Sequence, residues 1–356
     1  MKKGIFALAI ALFLAAIFVR AALLVDKDSG DFNSGTYYRT FFNNSGFVQL
    51  NISQGFLAGN YTSRIFDTSG NTQWNNISFL VGTNYSSEMP NNNGVESSSV
   101  FARPLNMTGN VLLMHFNNES DESAAVFQDR SGTGNNGQCG SPAACPTFVL
   151  EGKFFGGRSY DIDNDRILVN EHTSLDFRNE MTLEAWINWS GDSNENNNLQ
   201  NIITNGKWDR SLRVTEPGYW NGGNLILSNV NIGGSDRELY SVSNLSSGNW
   251  HHVATTFNGT MLVVYIDGRA DASLSVNGQI AATDQDTIIG GENDGTSSNF
   301  YGLIDEAAIY NRSLSAQEIS DRYARGIARL NLSVRSCDDF ACSGEIFVDI
   351  NDGSPQ

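Results

Sequence analysis

The sequence predicts an all-β chain built mainly as a two-sheet sandwich. Three observations carry that prediction. Glycine is abundant, 35 of 356 residues, and comes with many Asn and Ser, a density of turn-formers that suits many short strands. Runs of four to nine residues alternate apolar and polar side chains, the period of a half-buried strand. Only one segment carries a helix start signal. Hydrophobic residues make up 40% and charged residues 17%, which excludes a disordered tail or a coiled coil, and the length allows two or three domains.

Taken in order, the chain opens with Lys2 and Lys3 followed by an apolar run over residues 5–19. These are the charged and hydrophobic regions of a secretory signal, with Val19 and Ala21 at the small-residue positions of a cleavage site. The alternative is an uncleaved anchor, since residues 5–25 are long enough to span a bilayer and are interrupted only by Arg20. Either reading of residues 1–25 exports the remainder and limits membrane contact to this segment. Residues 26–104 begin with strand candidates at 47–50, 61–66 and 77–81 and then turn polar and irregular from 86 to 105, as a linker does.

Strands resume at residue 110 and continue nearly to 310. Met181 to Trp189 alternates cleanly, placing Leu183, Ala185, Ile187 and Trp189 on one face. Asp267-Gly268 after Tyr265-Ile266 is a tight hairpin signal. The helix begins at Ser315-Ala316-Gln317-Glu318, a capping box, carries Ile319 and Tyr323 on one face and is expected to stop at Gly326. Two further strand-like stretches lie within 329–356.

Charge and cysteines narrow the setting. Lys and Arg number 22 against 39 Asp and Glu, a net −17, which repels phosphate backbones and excludes nucleic acid as a partner. Four cysteines form two close pairs, Cys139 with Cys145 and Cys337 with Cys342. An even count in an exported chain reads as disulfides; three connectivities are possible, local pairing being the simplest, and the spacings do not suit zinc. Twelve N-x-S/T sequons permit surface glycosylation.

From 110 to about 326 the chain resembles the laminin-G-like (concanavalin A-like lectin/glucanase) jelly roll in its prokaryotic form. The residues that carry the resemblance are Leu112-Leu113-Met114-His115-Phe116-Asn117 with Asp129-Arg130-Ser131-Gly132, then Lys153-Phe154-Phe155-Gly156 with Asp165-Arg166-Ile167-Leu168-Val169. Met181-Thr182-Leu183-Glu184-Ala185-Trp186, Trp250-His251-His252-Val253-Ala254, Tyr265-Ile266-Asp267-Gly268 and Gly302-Leu303-Ile304-Asp305-Glu306 follow in family order. The resemblance implies a jelly roll over 105–328. The flanks, 26–104 and 329–356, look like parts of one small β-sandwich into which the jelly roll is inserted, or like two unrelated pieces.

The acidic residues show no pairing suited to hydrolysis. A glycoside hydrolase needs two carboxylates about 5 to 9 Å apart, which on a strand means acids two or four apart. Glu184, the acid of the strongest strand, has Thr182 and Trp186 two residues away on either side. His251 and His252 are adjacent on a strand, point to opposite faces and read as structural. The resemblance implies a structural Ca²⁺ held by Asp129, Asn136 and Asp305, against the plainer reading that these carboxylates cap turns. Trp208, Tyr219 and Trp220 lie in polar loops rich in Asn and Gly, a composition that suits stacking on a sugar ring while amides bond its hydroxyls. The sequence therefore points to an exported, cell-surface, non-catalytic module that binds a glycan or surface partner. A purely structural envelope module is the alternative and a glycoside hydrolase the third reading.

Overall fold

The computed structural model describes residues 29–38, 40–42, 48–50, 60–64, 88–91, 94–96, 104–123, 125–139, 144–154, 156–161, 164–191, 199–206, 209–219, 222–292, 298–327, 333–334 and 346–349. The chain divides into two compact units, residues 1–80 with 336–345 and residues 81–335 with 346–356. In the first, a single helical turn, Ser29–Phe32, precedes two small antiparallel pairings, Thr36–Tyr38 with Asn60–Thr62 and Thr40–Phe42 with Val48–Leu50. Tyr61 lies against Tyr37 and Phe32, and its hydroxyl donates to Phe32 O at 3.0 Å. The expected signal or anchor segment, 1–25, lies outside the described residues.

The second unit is the predicted jelly roll: two antiparallel sheets of eight strands each. One sheet runs in the order Arg269–Ser275, Met261–Ile266, Trp250–Phe257, Met181–Trp189, Gly302–Tyr310, Gly157–Tyr160 and Thr147–Val149, with Asn110–Met114 also pairing with Gly302–Tyr310. The other runs Ser235–Tyr240, Ile226–Ile232, Arg210–Thr215, Leu199–Asn205, Thr287–Ile289, Ile167–Val169, Gly137–Gln138 and Val126–Phe127. The alternation fixes what lies between them. Leu183, Ala185, Ile187 and Trp189 face Ile202, Ile203, Leu212, Val214 and Ile226 in one buried cluster. Each fully buried side chain of this kind contributes roughly 1.5–3 kcal/mol relative to exposure.

The outer face of the first sheet is also covered. The helix Ala316–Ile327 lies over it, started by the predicted capping box: Glu318 N donates to Ser315 Oγ at 3.2 Å and Ser315 N to Glu318 Oε2 at 2.9 Å. Gly326 does not end this helix, which continues to Ile327. Its role is close approach, because a Cβ there would lie 2.2 Å from Trp186 Cζ2. Tyr323 stacks on the same indole with centroids 5.8 Å apart.

The stretch expected to be a polar linker also packs here. Met89, Leu105 and Met107 join Leu113, Ala254, Tyr265, Ala308, Tyr310 and Ile319 in a second cluster, and Val95 bridges to Asn106. Isolated apolar residues among polar neighbours give no periodicity, which is why the sequence pattern did not reveal this strap. Beneath it, Glu184 is ion-paired to Arg322 at 3.0 Å and lies 3.3 Å from His252 Nε2, and Arg322 also donates to the Tyr310 hydroxyl at 3.2 Å.

Candidate functional site

The outer face of the second sheet carries a polar stripe that follows directly from strand register. Arg210, Leu212 and Val214 alternate inward, so Ser211 and Arg213 point outward, as do Asn229 and Asn231 on the next strand. Register aligns Asn201, Arg213, Leu227 and Tyr240 across four strands, and beside them Thr204, Ser211, Asn229 and Glu238. Arg213 Nη2 lies 3.9 Å from Glu292 Oε1, and Asn201 Nδ2 donates to Gly291 O at 3.1 Å. The side-chain oxygens of Asn201, Ser211, Asn229 and Asn231, and both polar side-chain atoms of Asn299, are buried with no hydrogen-bond partner among the described residues. An unsatisfied buried polar group costs about 1–3 kcal/mol, so a native cluster of them calls for an explanation such as a bound water or ligand.

Tyr219, the one described member of the expected aromatic platform, sits at the edge of this stripe. Its ring lies 6.2 Å from that of Tyr240, whose hydroxyl donates to Glu238 Oε2 at 2.7 Å and lies 3.4 Å from the Tyr219 hydroxyl. Trp208 and Trp220 lie outside the described residues. The stripe itself was not anticipated; a period-2 run of polar residues, Ser211, Arg213 and Thr215 beside Asn229 and Asn231, was its available signal.

The residues expected to hold calcium are placed in two separate networks. Asp129 and Asn136 share one turn, Asn136 Oδ1 accepting from Asp129 N at 2.9 Å. Both Asp129 oxygens accept protein donors: Leu113 N, Ser131 N, Ser131 Oγ, Thr133 Oγ1 and Asn135 N, at 2.8–3.0 Å. Asp305 is buried and accepts from Lys153 N, Phe154 N and Glu306 N. Protein donors reach these carboxylate oxygens, as they do where a carboxylate caps a turn. The Cys139–Cys145 disulfide is formed; Cys337 and Cys342 lie outside the described residues.

His251 and His252 part company as adjacent strand residues must. His251 bridges Ser246 Oγ at 2.7 Å and Asp267 Oδ2 at 2.8 Å, tying one turn to the Asp267-Gly268 hairpin, while His252 faces Glu184. Arg322, His252 and Tyr310 outweigh the effect of burial on Glu184 and hold its carboxyl below the usual carboxylate range.

A second charged cluster was not foreseen. His115, just past the Asn110–Met114 strand, bonds Glu306 Oε1 through Nδ1 and lies 2.7 Å from Asn91 Oδ1 through Nε2. Glu306 Oε2 accepts from Met89 N at 2.7 Å, and Asn117 donates to Glu88. Glu306 sits where the pairing of Met181–Trp189 with Gly302–Tyr310 slips by one residue, at φ 53°, so the bulge turns its side chain toward His115. Burial and the neighbouring Glu306 charge push Glu88 up to about 7. For His115, burial opposes the charged form, but Glu306, Glu88 and Asp305 outweigh it and bring the imidazole to about 9. Asp305 is raised well above the usual range by burial and by Glu306.

Residues 161–320 match the Laminin_G_3 family model, described as the concanavalin A-like lectin/glucanases superfamily, within the stretch whose motifs carry the resemblance. No curated protein sequence matches the chain. Among solved structures, the chain is similar to the binding domain of Paraclostridial Mosquitocidal Protein 1, at 17% identity over 60% of this chain and 52% of that one, with a TM-score of 0.47. It is also similar to the Botulinum Neurotoxin serotype G binding domain, at 18% identity over 60% and 50% of the two chains and TM-score 0.46. A third is domain 4 of AbnA, a GH43 extracellular arabinanase from Geobacillus stearothermophilus, in complex with arabinotriose, at 16% identity over 62% and 98% and TM-score 0.45. The chain spans about half the length of the first two.

Proposed function

We propose that the protein is an exported, non-catalytic surface module whose jelly roll binds carbohydrate on the outer face of its second sheet. The observation that carries this reading is the polar outer face that holds Asn201, Ser211, Asn229 and Asn231, whose buried side-chain oxygens are left without partners among the described residues. Amides and hydroxyls at this spacing offer both donors and acceptors, the complement of a sugar's hydroxyls. Tyr219 and Tyr240 supply ring faces at the edge of the stripe, and the sequence offers Trp208 and Trp220 as further stacking residues. Glu184, the acid of the strongest strand, is committed to Arg322 and His252, which supports binding rather than hydrolysis.

A glycan-array screen of the full chain tests the proposal, followed by the same screen on Asn229→Ala and Ser211→Ala. Removing an unpartnered buried polar atom leaves stability nearly unchanged or raises it. If the same atom bonds a sugar hydroxyl, its removal weakens glycan binding at least tenfold. A full chain that retains no glycan, or variants that bind as well as the parent, would exclude this face as the sugar site.

A further inference from the structure

We propose that Glu88, His115 and Glu306 hold a divalent transition-metal ion of the Zn²⁺ or Mn²⁺ class, with Asn117 Oδ1 as a fourth donor. Three elements distant in sequence bring these groups together: the strap that precedes the jelly roll, the end of its first strand, and the bulge in Gly302–Tyr310. One ligand atom from each of Glu88, His115 and Glu306 lies within 4.8 Å of the others. Ligand bonds of about 2.0–2.2 Å to a common ion place its donors roughly 3–4 Å apart, so the hydrogen-bonded His115–Glu306 pair must open to admit the ion while the more distant donors close in.

One further feature points to a cation rather than to a plain ion pair. The Asn117 amide donates to Glu88, and its Oδ1 is buried beside the cluster with no hydrogen-bond partner among the described residues.

The donor set selects the metal. One imidazole nitrogen with carboxylate and amide oxygens suits Zn²⁺ or Mn²⁺, whereas Ca²⁺ sites are built from oxygen alone. The ion takes the place of the proton that joins His115 Nδ1 to Glu306 Oε1, so binding releases a proton and tightens as pH rises. Its role is structural: through Glu88 it fastens the strap that carries Met89, Leu105 and Met107 to the outer face of the first sheet.

The experiment uses the full chain, stripped with EDTA and dialysed, then titrated with Zn²⁺, Mn²⁺, Co²⁺ or Ca²⁺. Metal content is read by mass spectrometry, the Co²⁺ site by its visible absorption, and stability by melting. One equivalent of Zn²⁺ or Co²⁺ is expected, with ligand-field bands from the imidazole-carboxylate site, a raised melting temperature reversed by EDTA, and weaker binding at pH 6 than at pH 8. Glu88→Gln, checked for folding by circular dichroism, should weaken Zn²⁺ at least tenfold and abolish the Co²⁺ bands, while Asp129→Asn should leave both intact. A parent chain that takes up no stoichiometric Zn²⁺, Mn²⁺ or Co²⁺ overturns the proposal whatever the variants do. Equal Zn²⁺ binding by a folded Glu88→Gln also overturns it, as does a response to Ca²⁺ alone.

Discussion

Replacing Arg322 with Met tests how the helix is fastened to the first sheet. The Arg322 side chain is 1% exposed and that of Glu184 is fully buried. The guanidinium donates to Glu184 Oε1 at 3.0 Å, Tyr310 OH at 3.2 Å, Asn106 O at 3.1 Å and Glu318 O at 3.1 Å. Methionine keeps most of the stem volume and removes every donor, taking the guanidinium away from the buried carboxylate, which keeps His252 Nε2 at 3.3 Å. Breaking a buried pair in this way costs about 3–5 kcal/mol, which for a unit of this size lowers the melting temperature by roughly 6–20 °C.

The pH dependence follows from Glu184. In the parent its carboxyl is depressed, so it stabilises the fold above its unfolded value and loses that contribution as pH falls through the folded one. Without Arg322, burial raises the same carboxyl, and the folded variant loses stability as pH rises from the unfolded value toward the raised one. The deficit of the variant should therefore be largest near neutrality and should narrow on acidification toward pH 4. Adding Glu184→Gln should restore most of the loss at neutral pH, because the uncompensated charge is then gone. Urea denaturation of parent, single and double variants from pH 4 to 8 measures all three statements. A loss under 1 kcal/mol, a deficit independent of pH, or a double variant no better than the single would refute the reasoning.

Other outcomes follow from particular residues. Gly326→Ala would ordinarily gain about 1 kcal/mol of helix propensity, but here the new methyl meets the Trp186 ring, so melting should instead show a net loss of about 1–3 kcal/mol. Cys139→Ser opens a loop that spans a sequence separation of 6 and should cost about 2 kcal/mol by chain entropy, measurable as a shift in the urea midpoint. Trp220→Ala should weaken glycan binding by about 1–3 kcal/mol with melting unchanged if the indole stacks on sugar; a core indole would instead give a stability loss of about 3–5 kcal/mol.

The features that the sequence made legible are those written over a few consecutive residues. Alternation along Met181–Trp189 named the buried face, Asp267-Gly268 placed a hairpin, and Ser315 with Glu318 started the helix. Cys139 and Cys145, six residues apart, found each other because the chain between them is short. Each of these depends on local geometry, which strand period, turn chemistry and short-loop entropy control directly.

Tertiary structure decided the rest. Alternation says which side of a strand is polar but not which strand lies beside it, so only the register that aligns Asn201 with Arg213 and Ser211 with Asn229 makes a stripe. Gly326 carries the local signature of a helix stop, yet the ring of Trp186, far away in sequence, is what requires the missing Cβ. His115 and Glu306 are 191 residues apart, and they meet because a one-residue slip between two strands turns Glu306 out of alternation. Packing over long sequence separations and breaks in regular pairing leave no periodic trace in the chain, and the unforeseen charged cluster rests on both.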